Sequence, residues 1–139
     1  MIPNIRILIA DDEMHIRELC SEFLMVSELG YETETASDGQ EALEALSRKT
    51  FHILLSDIQM PRISGLELLK EVRKRHPEME VILMTGYGDL SSSIEAIRFG
   101  AYDYITKPFT RDFLMKTIHR CSEKITLQLD KPRDTGLHI

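Results

Sequence analysis

The sequence lacks the features that mark several specialised classes of protein. It contains no tryptophan and only two cysteines, Cys20 and Cys121, far apart in helical patterns. Such a pair forms neither a disulfide framework nor a metal motif, so we expect reduced core thiols and a cytoplasmic protein. No apolar run approaches the roughly 18 residues that a transmembrane helix needs. The chain also becomes acidic where a signal peptide would stay apolar, so we expect no membrane association.

An excess of basic residues is also absent. The 139 residues carry a formal net charge of −6, and acidic residues interrupt both basic stretches. Because anionic surfaces repel a negative chain, we expect no direct binding to nucleic acid or anionic membranes. The length corresponds to a single domain with a sizeable core. We place that domain at residues 1–125, and the end of the last helix with a flexible tail or linker start at residues 126–139.

Hydrophobic residues along the chain alternate between two spacings. Nearly continuous apolar runs at residues 5–10, 51–57 and 80–85 predict buried strands. The stretch "YETETA" (31–36) alternates strictly, which favours an edge strand protected by its charges, and "YDYIT" (102–106) predicts a last strand. Apolar residues three and four apart predict a helix after every strand, the fourth over 89–100. This alternation predicts an α/β fold with a parallel sheet between two layers of helices.

Polar residues converge at one edge of the predicted sheet. In an open parallel sheet, ligands bind beyond the carboxyl ends of the strands. The residues there are Asp11 and Asp12 after the first strand, Asp57 at the end of the third, Thr85 and Gly86 at the fourth, and Lys107 after the fifth. Singly, each has an ordinary explanation: Asp12 as a helix cap, Thr85 as a strand former, Lys107 as a loop residue. Together they indicate a functional site.

The chemistry of this set favours phosphoryl transfer. Two carboxylates about 4 Å apart repel by about 4 kcal/mol at an effective dielectric near 20, so three of them require a cation. A donor set of oxygens alone favours a hard ion such as Mg²⁺. A carboxylate nucleophile, a Mg²⁺ site, a lysine and a hydroxyl together predict an aspartyl phosphate on Asp57.

Four stretches resemble the receiver domain of two-component response regulators over about residues 5–125: "ILIADDE", "LLSDIQMPRISGLELL", "VILMTGYGD" and "GAYDYITKPF". The resemblance implies a flavodoxin-like, doubly wound (βα)5 fold with strand order 2-1-3-4-5. It implies a phosphorylation-dependent signalling switch that is not an enzyme with an external substrate. The cofactor would be Mg²⁺, and the phosphoryl donor a sensor histidine kinase or phosphotransfer protein. A downstream protein target or an output domain outside this chain would read the switch, and a phosphorylation-dependent homodimer is compatible with it.

The resemblance also assigns a role to each residue of the site. Asp57 is similar to the phospho-acceptor, assisted by Lys107 and Thr85. The Mg²⁺ ligands would be Asp11, Asp12, Asp57 and the backbone carbonyl of Gln59. Gly86 stands where a small residue admits the phosphoryl group. Thr85 and Tyr104 match the switch pair, although Tyr104 also fits an ordinary half-exposed strand position.

Two other functions remain open at this stage. A Mg²⁺-dependent phosphohydrolase also passes through an aspartyl phosphate, but such enzymes commonly carry a D-x-D nucleophile after the first strand, where this chain has "DDE". A flavodoxin-like module that binds a small molecule would want a hydroxyl- or glycine-rich phosphate loop there, and "DDE" would repel a phosphate. The stretch from Gly86 to Phe109 resembles receivers of the nitrogen-regulation type, which precede an ATPase and a DNA-binding domain.

Overall fold

Strands and helices alternate along the whole of the described chain. The computed structural model describes residues 4–86 and 90–130. The elements are β1 (Arg6–Ala10), α1 (Met14–Met25), β2 (Glu32–Ala36), α2 (Gly39–Arg48), β3 (Ile53–Asp57), α3 (Gly65–Arg75), β4 (Glu80–Thr85), α4 (Leu90–Arg98), β5 (Asp103–Thr106) and α5 (Arg111–Asp130).

The strands form one parallel sheet in the order β2-β1-β3-β4-β5, as predicted. In this register Ile7 of β1 lies opposite Thr33 of β2 and Ile53 of β3. The predicted edge position of β2 is confirmed, since it lies at one end of the sheet. Because the strands are parallel, their last residues share one edge of the sheet.

Each face of the sheet has its own apolar core. One core packs α2, α3 and α4 against residues such as Leu8 and Leu54. The other packs α1 and α5 against residues such as Ile7 and Ile53. Successive strand residues thus point to opposite cores, and all of β3 is buried, including its last residue. The parallel sheet between two layers of helices, which the hydrophobic pattern predicts, is confirmed.

The last helix continues beyond the apolar stripe that predicts it. Its core face, ending at Ile125, is buried, whereas Leu127 and Leu129 are exposed. Of the expected tail, residues 131–139 lie outside the described part of the chain, as does Asp89, the predicted start of the fourth helix. Among the described residues, no helix has the length and apolar character needed to cross a membrane.

Candidate functional site

The strand ends bring the predicted residues to one edge of the sheet. Asp57 and Thr85 are the last residues of β3 and β4, while Asp11 directly follows β1 and Lys107 directly follows β5. The backbone N–H of Lys107 donates to the carbonyl of Thr85 at 2.7 Å, which fixes the start of the loop after β5. Topology alone therefore explains how residues up to 96 positions apart meet.

Lys107 connects two of the three carboxylates. Its Nζ lies 2.8 Å from Asp11 Oδ2 and 3.2 Å from Asp57 Oδ2. Asp11 is fully buried and Asp57 is 8% exposed, so an unpaired charge on either would be costly. Burial lowers the pKa of Lys107, but its hydrogen bond to Asp11 and the charges of Asp57 and Asp11 outweigh this effect and raise its pKa. The ammonium group therefore stays charged between them.

The charge of Asp57 is opposed by its surroundings. Burial is the main cause that raises the pKa of this carboxyl, and the Asp11 carboxylate raises it further. The Lys107 ammonium and the backbone N–H of Gln59, which lies 3.3 Å from Asp57 Oδ1, lower the pKa without cancelling the rise. Asp57 thus stands in a site that favours an additional cation.

The three acids fit a small hard cation. Asp11, Asp12 and Asp57 each place a carboxylate oxygen within 4.8 Å of the others. Oxygen donors of this kind suit Mg²⁺. The capping explanation for Asp12 is wrong, because the N-cap residue of α1 is Glu13. That the carbonyl of Gln59 completes the ligand set stays a prediction.

Two further residues shape the site without having been predicted. Arg17 Nη1 donates to the backbone carbonyl of Asp11 at 2.7 Å and so ties α1 to the end of β1. An arginine on a helix face carries no sequence signal for this contact. Gly65 begins α3 against the backbone of Asp57, since a Cβ on this residue would lie 2.2 Å from the Asp57 carbonyl oxygen. Because glycine has no Cβ, α3 can begin this close to the end of β3.

The predicted switch pair lies on neighbouring strands. Thr85 is opposite Thr106 and Tyr104 is opposite Leu83, so Thr85 and Tyr104 are diagonal neighbours on one face of the sheet. Thr85 is buried and Tyr104 partly exposed. Next to Thr85, a Cβ added to Gly86 would meet no atom within 4 Å. The arrangement is compatible with both predicted roles, which stay predictions.

Comparison with known sequences gives a consistent family assignment. A family model described as the response regulator receiver domain matches residues 7–119. The DNA-binding transcriptional regulator NtrC of Escherichia coli K12 is 38% identical over 130 residues, which cover 94% of this chain and 27% of that protein. The regulatory protein AtoC of the same organism is 38% identical over 133 residues, covering 96% and 28%. The chain thus spans about a quarter of the length of these relatives.

Solved structures agree with this assignment. A response regulator receiver domain protein from Clostridium thermocellum superposes with a TM-score of 0.83 at 33% identity, covering 89% of this chain and 98% of that one. The receiver domain of NtrX from Brucella abortus superposes with a TM-score of 0.79 at 41% identity, covering 84% and 98%. These likenesses confirm the predicted flavodoxin-like fold.

Proposed function

The chain belongs to the response regulator receiver domain family, and from that premise we propose that Asp57 accepts the phosphoryl group that operates its switch. The observation that carries the proposal is the contact of Lys107 with both Asp57 and Asp11. A phosphoryl group adds about −1.5 to −2 charge, which a site of three acids tolerates only beside cations. Lys107 is the cation already in place.

The transfer itself exchanges one bond to phosphorus for another. A carboxylate oxygen of Asp57 attacks the phosphorus of a phosphohistidine donor, and the P–O bond forms as the P–N bond breaks. The electron pair of the broken bond goes to the imidazole nitrogen of the donor. Lys107 then pairs with the phosphoryl oxygens, and Gly86 leaves space for the group to enter.

Mg²⁺ would be held by Asp11, Asp12, Asp57 and the backbone carbonyl of Gln59. The close spacing of the three carboxylate oxygens and the absence of nitrogen or sulfur donors among them support this assignment. When bound, the ion supplies positive charge that offsets the charge of the phosphoryl oxygens.

The switch would pass from Asp57 to the surface through Thr85 and Tyr104. The Thr85 hydroxyl donates to a phosphoryl oxygen, and Tyr104 moves into the space that Thr85 vacates. The surface formed by α4, β5 and α5 then changes. A hydrogen bond to a charged group contributes about 1.5–3 kcal/mol, enough to shift a population about ten- to a hundredfold. We expect Thr85→Ala still to accept phosphoryl groups. It should lose most of the NMR shift changes that beryllofluoride, a phosphoryl mimic, causes between Ile94 and Tyr104. The full wild-type shift changes in this variant would refute the coupling of Thr85 to Tyr104.

Membership of the family supports a proposal about the partners. We assign phosphorylation to a sensor histidine kinase or phosphotransfer protein in the cytoplasm, and the readout to a protein target or an output domain, with residues 1–125 as the receiver. The similar E. coli protein is named a DNA-binding transcriptional regulator, which supports an output of that kind in a longer protein. The family match favours this switch over the phosphohydrolase and small-molecule alternatives.

Labelling with a phosphoryl donor tests the acceptor assignment. We expect acetyl phosphate or a phosphorylated histidine kinase to label the wild type and not Asp57→Asn. The matched control is Asp103→Asn, which removes one acid at the start of β5, at the opposite edge of the sheet, and should keep labelling. Full labelling of Asp57→Asn at another residue would overturn the assignment.

A further inference from the structure

The β3–α3 loop, residues 58–64, contains a backbone conformation that an arginine rarely adopts. Arg62 has a φ of +70°, in the region that favours glycine. The N–H of Ile63 donates to the carbonyl of Pro61 at 2.8 Å across it. An i to i+2 hydrogen bond around a residue with positive φ forms the rare, strained type of γ-turn. Such strain persists only where surrounding contacts hold it.

The contacts that hold this turn come from the start of α2. Arg62 Nη1 lies 3.2 Å from Asp38 Oδ2. Asp38 is the N-cap of α2, and its other oxygen accepts the N–H of Glu41 at 2.8 Å. A Cβ added to Gly39 would lie 2.5 Å from the Cβ and the carbonyl oxygen of Ile63, so the helix start and the turn touch. The Asp38 side chain is only 15% exposed, whereas that of Arg62 is 71% exposed, so solvent partly screens the pair and its contribution is that of a surface ion pair.

This loop also carries the backbone that borders Asp57. The N–H of Gln59 contacts Asp57 Oδ1 at 3.3 Å, and the N–H of Gly65 donates to the carbonyl of Ile58 at 2.7 Å. The first residue of the loop and the first residue of α3 are therefore fixed to each other beside the site. The segment between these two residues is short and contains both Gln59 and the turn at Arg62, so we expect a change at the turn to reach Gln59.

We propose that Asp38 and Arg62 form a clamp that positions the β3–α3 loop, and with it the backbone of Gln59, for Mg²⁺ binding. Arg62 is a positioning residue, since it acts on the site through the loop. The inference rests on the proposed function, because the ion is assigned there to Gln59 and the three acids. It adds the Asp38–Arg62 pair, which lies outside the acidic site and holds the backbone of Gln59 in position before the ion binds.

The test uses conservative variants that remove only the pair. Asp38→Asn keeps a good N-cap for α2, and Arg62→Gln keeps most of the length of the side chain. Arg75→Gln is the matched control: it removes one positive charge from the Arg75–Glu71 pair, which has the same 3.2 Å separation but lies at the end of α3. Unfolding midpoints verify that all variants fold.

Amide hydrogen exchange in EDTA reads the loop without any metal. We expect Asp38→Asn and Arg62→Gln each to accelerate exchange of the Ile63 amide about two- to fivefold, the range that an ion pair of this kind supports. The double variant should accelerate exchange no more than either single variant, because both remove one contact. Unchanged exchange in both single variants, or effects that multiply in the double variant, would overturn the clamp.

Mg²⁺ titration of the Gln59 amide signal then separates positioning from stability alone. We expect Mg²⁺ affinity to fall by about the same two- to fivefold in both single variants and to stay at the wild-type value in Arg75→Gln. Wild-type affinity in both clamp variants would overturn the positioning role. Failure of the proposed function would give a different result. Phosphoryl labelling would then persist in Asp57→Asn, while the faster exchange of the Ile63 amide in EDTA would be unaffected.

Discussion

Replacing Asp57 by asparagine should stabilise the metal-free protein, although it should abolish phosphorylation. The prediction follows from the burial of this side chain and from the charges around it. Asp57 meets the carboxylates of Asp11 and Asp12 within 4.8 Å and the ammonium of Lys107 at 3.2 Å. Asparagine keeps the shape and can still accept the N–H of Gln59, so the substitution removes mainly the charge.

The size of the effect can be worked from these distances. At an effective dielectric of about 20, unit charges 4.8 Å apart interact by about 3.5 kcal/mol, and charges 3.2 Å apart by about 5 kcal/mol. The attraction to Lys107 therefore exceeds the repulsion from Asp11, and burial is the main cause that raises the pKa of Asp57. Because the exposed Asp12 adds little, the cost is mainly that of burying the charge, and we expect Asp57→Asn, which removes this charge, to raise the free energy of unfolding by about 1–2 kcal/mol. That corresponds to about 3–8 °C in Tm for a chain of this size.

Urea unfolding at pH 7 in EDTA and in excess Mg²⁺ tests this balance. Mg²⁺ at ten times its Kd stabilises the wild type by about 1.4 kcal/mol, so the advantage of the variant should shrink or vanish. Asp103→Asn, which also removes one negative charge, should show no such dependence on Mg²⁺. A variant less stable than the wild type in EDTA would refute the reasoning, because the Lys107–Asp57 attraction would then outweigh the cost of burying the charge together with the repulsion from Asp11.

The same comparison has a defined pH dependence. The folded-state pKa of Asp57 lies above its ordinary value of 3.8, so the folded protein keeps this proton longer than the unfolded chain. Stability that depends on this group is therefore lost as the pH rises from 3.8 through the raised pKa. We expect the stability difference between Asp57→Asn and the wild type to shrink as the pH falls through that window.

Two further predictions concern Lys107 and the close packing at Gly65. Lys107→Met leaves the buried acids Asp11 and Asp57 unpaired, so we expect the free energy of unfolding in EDTA to fall by about 3 kcal/mol. Calorimetry should detect tighter Mg²⁺ binding in this variant. An unchanged free energy of unfolding would mean that burial does not strengthen the ion pairs of Lys107. Gly65→Ala places a Cβ 2.2 Å from the Asp57 carbonyl oxygen, so we expect the free energy of unfolding, measured in urea, to fall by about 2–3 kcal/mol. In Gly86→Ala the added Cβ meets no atom within 4 Å, so we expect the wild-type unfolding midpoint, with slower phosphoryl labelling because the Cβ narrows the entrance. An equal loss of unfolding free energy in both glycine variants would contradict this expectation.

Much of the site was predictable because parallel strands align their ends. Asp57 ends an apolar run and Lys107 follows another, so a sheet of this topology has to bring them to one edge. The pattern does not distinguish the environments of the neighbouring acids. Asp11 is fully buried and bonded to Lys107, whereas Asp12 is exposed. Asp11 and Asp12 differ in burial because the chain leaves the sheet at this point, so that the side chains of adjacent residues point in different directions.

The contact between Arg62 and Asp38 could not be predicted from local sequence. The residues are 24 positions apart, and an arginine gives no signal for a positive φ. The ends of the turn are fixed because β3 and α3 are both anchored in the core, and contacts with the start of α2 hold the turn between them. Similarly, the helix beyond Ile125 carries no core pattern, because Leu127 and Leu129 face solvent.

The position of Asp57 explains how an unfavourable charge can persist in a stable fold. All five residues of β3 are buried, and the strand pairs with β1 on one side and β4 on the other. Its last residue therefore cannot move into solvent without breaking the sheet, and the core absorbs the cost of the charge. Under the proposed function, we expect a site held in this state to respond strongly to added charge, because a cation would offset the buried negative charges and a phosphoryl group would add to them. The buried charge that lowers the stability of the metal-free domain would thus be the same feature that makes the proposed site sensitive to Mg²⁺ and to phosphorylation.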